Sequence, residues 1–136
     1  MGTWGVGVFD NDVASDWTYG LGDRGLNHVS ESLHAAADAS EFLDADEGAE
    51  AVAAAETVAR LRGGAWDESP YAEAVDEWVH AQTGDVPADL AALAAAAVRR
   101  VLAPGSELAD LWAEAGEADA GEWRRVLDDL IGRLDV

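Results

Sequence analysis

Cysteine is missing from this chain, and so is lysine. Without cysteine there is no disulfide framework, no thiolate zinc site and no cysteine nucleophile. Without lysine every fixed cation is an arginine, and the 8 arginines face 28 acids, for a formal charge of -20 at pH 7. Such a field repels nucleic acid and anionic membranes and attracts cations or basic proteins. Long apolar runs are missing too: none approaches the ~20 residues that a membrane span requires. No charged-then-apolar leader opens the chain. Met1-Gly2 fits the start of a myristoylation signal, but Val6 stands where Ser or Thr is wanted. The expectation is a cytoplasmic protein that engages neither membrane nor nucleic acid.

What is present is apolar and acidic at once. Hydrophobic residues make up 49% of the 136 positions, which argues against disorder despite the charge. The acids divide evenly, 14 in residues 1–68 and 14 in 69–136, so there is no acidic tail and the whole surface is acidic. Arginine in place of lysine, with abundant Ala, Gly and Asp, fits a GC-rich genome or adaptation to high salt. Neither is a function. The length suits a single domain, 1–136.

The chain is organised around its first seventeen residues. Gly5 and Gly7 alternate with Trp4, Val6 and Val8, and glycine lets a backbone lie close against another surface. Residues 1–10 are read as an extended Gly/Trp-rich arm, pinned by Trp4 and Phe9 onto a helical body, 11–136. Asn11 or Asp12 caps the first helix, which carries Val13, Trp17 and Leu21 on one face. Leu26 opens the second, with Leu26, Val29, Leu33 and Ala37 inward and burial continuing through Phe42 and Leu43. Asp44 and Glu47 form a capping-box start for the third, which ends near Leu61 ahead of Gly63-Gly64. Ser69-Pro70, Pro87, Ser106 and the pair Asp119 and Glu122 open four more. The fold expected is all-α, a compact orthogonal bundle of about seven short helices with the arm packed on it.

The opening Met1-Gly-x-Trp4-Gly-x-Gly-x-Phe9-Asp-Asn-Asp12-x-Ala14-x-Asp16-Trp17 resembles that of a bacterial domain-of-unknown-function family, the one numbered 4259. The resemblance continues in Glu47-Gly-Ala-Glu-Ala-x-Ala-Ala-Ala-Glu56-x-Val58-Ala59. It returns in Ser106-Glu-Leu-x-x-Leu-Trp112-x-Glu114 and Glu122-Trp123. It implies a small, self-contained, soluble helical domain, and brings with it no activity, cofactor or partner.

Two places could carry chemistry. Asp10, Asp12 and Asp16, with Asn11 as a further oxygen donor, could offer a hard cation several ligands. Ala14 and Ser15, however, stand where an EF-hand loop requires a ligand and a glycine. Caps and solvated acids are therefore the favoured reading, with a metal site on Asp10, Asp12 and Asp16 kept as the lesser one. Glu56 falls on the apolar side of the third helix, where a carboxylate is costly unless paired. It is expected to be buried and to bond the amino-terminal motif, through the Trp4 or Trp17 indole, the arm's backbone N–H groups or Asn11. Of the six tryptophans, Trp17 belongs to that motif and Trp66, in a loop, is the candidate exposed anchor. His28, His34 and His80 lie on different helices or faces, and no metalloprotease helix, nucleophile elbow or phosphate loop is present.

The function these residues favour is a non-enzymatic interaction module for a basic protein, antitoxin-like or a nucleic-acid mimic, with no cofactor. The alternative is a carboxylate-lined site for a divalent cation or cationic small ligand at the amino-terminal motif and Glu56, with hydrolytic chemistry as an extension. The binding residues in either case are Asp10, Asn11, Asp12, Asp16, Trp17, Glu56 and Trp66.

Overall fold

The computed structural model describes residues 6–63, 72–82 and 86–135. They form α1 (Asp12–Trp17), α2 (Tyr19–Arg24), α3 (Leu26–Ala37), α4 (Ala45–Leu61), α5 (Glu73–Ala81), α6 (Ala88–Leu102), α7 (Glu107–Glu114) and α8 (Glu117–Leu134). The fold is all-α, as the periodicity requires. The expected first helix divides at Thr18, whose hydroxyl donates to the Ser15 carbonyl at 2.7 Å. None of the helices is long and apolar enough to cross a membrane, among the described residues.

α4 is the axis of the bundle. Every residue from Gly48 to Arg60 apart from Glu50 is buried, and the helix packs against α1, α3, α5, α6, α7 and α8. A helix enclosed on all sides must be apolar all round. Runs of alanine meet that need and let neighbouring axes approach closely. Three polar residues break the pattern: Glu56, Thr57 and Arg60. Thr57 satisfies its hydroxyl on the Ala53 carbonyl one turn back, at 2.8 Å. The other two need partners from elsewhere.

The start of this axis is set by local chemistry. Asp44 caps α4 by accepting from the Glu47 N–H at 2.8 Å, and Ser106 caps α7 in the same way on Ala109. The two starts are joined by a single parallel bridge between Leu43 and Ser106. The Leu43 N–H donates to the Gly105 carbonyl and the Glu107 N–H to the Leu43 carbonyl, both at 2.9 Å. Glu107 also reaches across, its Oε1 accepting from the Ala45 N–H at 2.8 Å. Gly105 has φ +88, and a Cβ there would stand 2.5 Å from the Glu41 carbonyl oxygen. Only glycine fits this crossing.

Several expectations change. Residues 6–10 are not extended: the Asp10 N–H donates to the Gly7 carbonyl at 3.1 Å, closing a turn that drives Phe9 into the core. Trp4 lies outside the described residues. Phe42 is 60% exposed while Leu43 is fully buried, because successive side chains of the extended bridge segment point opposite ways. α3 turns Val29, Leu33 and Ala36 inward, and Leu26 stays 46% exposed at its start. α8 begins at Glu117 after Gly116 at φ +115, ahead of the expected Asp119 and Glu122 pair.

Candidate functional site

The sequence points to two centres, the amino-terminal motif and Glu56, and the structure separates them. Asn11 is the cap of α1, its Oδ1 accepting from the Ala14 N–H at 2.8 Å. Asp10 turns back, its Oδ2 accepting from the Gly7 N–H at 3.1 Å. Asp16 is exposed on α1. Trp17 is buried and its indole N–H donates to the Ser32 hydroxyl at 2.8 Å. Its ring stacks on His28 at 4.6 Å, and His28 Nε2 lies 2.7 Å from the Trp17 carbonyl oxygen. His28 is therefore a packing partner of the motif. Trp66 lies outside the described residues. No group of three or more His, Cys, Asp or Glu side chains is placed to hold a metal ion, among the described residues.

Glu56 is buried, at 3% exposure, but its partners are not those expected. Trp17 bonds Ser32 and Asn11 bonds Ala14, so neither serves it. Two arginines do. Arg60, one turn along α4, donates from Nε to Oε2 at 2.9 Å. Arg133, in the last turn of α8, donates from Nη1 to Oε2 at 2.9 Å and from Nη2 to Oε1. Guanidinium groups win this site because they carry a full opposite charge in a fork that matches both carboxylate oxygens. Arg60 is also bonded to Asp76 of α5, at 2.6 Å. Burial pulls the Arg133 pKa down, but its bonds to Glu56 and the charges of Glu56 and Asp129 outweigh this and raise it. Its Nε is buried without a hydrogen bond among the described residues; the Asp129 carboxylate stands at 3.3 Å, within ion-pair range but out of line.

The motif still reaches Glu56, at one remove. The Arg60 guanidinium carbon lies 5.4 Å from the centroid of the Phe9 ring, a cation–π contact. Phe9, Arg60 and Glu56 thus tie the amino-terminal turn to α4, and Arg133 ties α4 to α8.

The second centre is a groove of about 320 Å³ between the amino-terminal turn, the start of α4, α7 and α8. Its buried wall is Val52, Trp123 and Leu127, and its more open side is Leu108, Leu111 and Trp112. Trp112 and Trp123 stack nearly parallel, 6.0 Å apart. Asn11, Asp12 and Asp46 bring the polar groups. Of the sequence candidates, Asn11 and Asp12 line it; Asp10, Asp16, Trp17 and Glu56 do not. Leu111 and Asp46 were not singled out from the sequence. Leu111 belongs to the resemblance segment of α7, but its 49% exposure follows from how the helices pack and not from its spacing.

The motif, the α4 and α7 segments and Trp123, which carry the family resemblance, all contribute to this groove. Residues 2–126 match the family described as Domain of unknown function (DUF4259). The chain belongs to that family. No curated protein and no solved structure matches it. The family match takes in every residue lining the groove except Leu127, and takes in Glu56 and Arg60 but not Arg133.

Proposed function

We propose that this chain is a non-enzymatic interaction module that binds a basic protein, neutralising it as an antitoxin or nucleic-acid mimic does. One observation carries the reading: six of the eight arginines are held by protein carboxylates or carbonyls, and the many exposed acids far outnumber the remaining two, Arg124 and Arg125. Arg60 and Arg133 hold Glu56, Arg24 pairs with Glu31, and Arg99 pairs with Asp135. Arg62 and Arg100 donate to the carbonyls of Leu134 and Ala39. Carboxylates dominate the exposed charge, with Asp16, Asp89, Glu114, Glu117, Asp119 and Asp128 among those exposed. Such a field steers a basic partner into contact and disfavours acidic ones.

The alternative, a cation site joining the motif to Glu56, draws no support from this geometry. Both oxygens of Glu56 are taken by arginine, and Asp10 is bonded within its own turn.

The test is affinity capture on the immobilised protein at about 50 mM and about 500 mM salt, Debye lengths of very different reach. A discrete basic protein is expected to be held at low salt, released at high salt, and to form a defined complex when purified and mixed back. Retention of the same proteins under both conditions, or of none, overturns the reading.

A further inference from the structure

Asp12 and Asp46 each occupy the first turn of a helix, where an acid ordinarily caps or offsets the dipole. Here the caps are supplied by others. Asn11 caps α1, while Asp44 and Glu107 accept from the first N–H groups of α4. The side chains of Asp12 and Asp46 bond to no other described residue and pair with none, and both are exposed. They share one groove, which no arginine or histidine lines among the described residues. Beside them Leu111 faces solvent next to the paired indoles of Trp112 and Trp123. An apolar cleft and two uncommitted carboxylates meet at one place.

We infer that this groove receives an apolar side chain from a basic segment of the partner, with a neighbouring lysine or arginine reaching Asp12 and Asp46. The inference rests on the basic-partner reading and adds where the partner is held and by what chemistry. At about 320 Å³ the groove is at the small end of ligand-pocket size and suits a side chain of leucine or phenylalanine size. An acidic segment would bring like charge against Asp12 and Asp46.

The test uses two capped pentapeptides, Lys-Lys-Leu-Lys-Lys and Lys-Lys-Gly-Lys-Lys, titrated into the isotopically labelled full chain and followed by NMR. The leucine peptide is expected to shift the signals of Leu111, Asp46 and the Trp112 and Trp123 indoles. It should bind about tenfold more tightly than the glycine peptide, because only it buries an apolar side chain. Asp12→Asn combined with Asp46→Asn should weaken it about fivefold, and Leu111→Ser by a similar factor. All three positions are exposed, so the variants should stay folded, as circular dichroism will show. Equal binding of both peptides, with shifts spread over the whole surface, overturns the groove and leaves the acidic-surface reading standing. Leucine-dependent shifts that ignore the charge variants also overturn it. No binding of either peptide overturns both.

Discussion

Arg133 grips both carboxylate oxygens of Glu56 from 77 residues away along the chain. The contact fastens the last turn of α8 to the middle of α4, in a region where Glu56 and Arg60 are almost wholly excluded from water.

Removing Glu56 leaves Arg60 and Arg133 facing each other across a buried space. Breaking one partner out of a buried pair costs about 3–5 kcal/mol, and Glu56→Ala should fall in that range. Glu56→Gln keeps an acceptor and loses the charge, so about half that loss is expected. Urea unfolding of Glu56→Ala, of Arg133→Ala and of the two combined gives the coupling, expected at about 1–3 kcal/mol. A melting temperature unchanged in both Glu56 variants would remove the structural role of Glu56.

Gly105 and Gly63 have nearly the same backbone, at φ +88 and +90, but different surroundings. Alanine at Gly63 meets no side chain or backbone within 4 Å among the described residues and should cost about 1–2 kcal/mol from conformation alone. Alanine at Gly105 adds a clash with the Glu41 carbonyl and should exceed it by about 1–2 kcal/mol. Equal losses in chemical denaturation would mean that the α4–α7 bridge is not held by close approach.

A Cβ at Gly20 would stand 2.5 Å from the His28 ring. Gly20→Ala should push that ring off Trp17. The lost stacking and the lost hydrogen bond to the Trp17 carbonyl, each about 0.5–1.5 kcal/mol, outweigh alanine's helix propensity over glycine, up to about 1 kcal/mol. Stability should therefore fall by about 1 kcal/mol while the near-ultraviolet circular dichroism of Trp17 and the ring-current shifts of His28 change clearly. Unaltered spectra would contradict the stacked geometry.

Burial raises the pKa of Glu50, reinforced by Asp46 and Asp44 and opposed by His28. Glu47 is raised as well, by its hydrogen bond with Asp44 and then by burial. A raised folded-state pKa means the native state binds more protons than the unfolded one. This contribution is complete below the ordinary glutamate pKa and is lost as pH climbs through the raised value. Thermal stability should fall between mildly acidic and neutral pH, and Glu50→Gln should flatten that slope. A slope of opposite sign, or one indifferent to the substitution, would show that other groups control it.

Much of the fold was legible in the sequence because its signals are local. Asp44 and Glu47, Ser106, Asn11 and the glycines after α4 mark helix ends through bonds that span three or four residues. The burial of Glu56 could be read from the apolar neighbours on its own helix, and so in principle could Arg60, one turn on. Arg133 could not. Nothing in its surroundings, between Gly132 and Leu134, distinguishes it from the exposed Arg124 and Arg125.

The groove divides the same way. Asn11 and Asp12 stood out because they belong to a distinctive motif, whereas Asp46 looked like one more acid in a helix start. That Asp46 is left without a cap to make depends on Asp44 and on Glu107, which arrives from 62 positions away.

By itself the chain's order of residues settled the helical fold, the caps at Asn11, Asp44 and Ser106, and the acidic balance of charge, since each follows from chemistry within a turn or from composition. Tertiary structure alone decided which charges meet, that Phe9 of the motif reaches Glu56 through Arg60, and that Asp12, Asp46 and Leu111 share one cleft. Those pairings depend on how whole helices are laid beside one another, and spacing along a single helix holds no record of that.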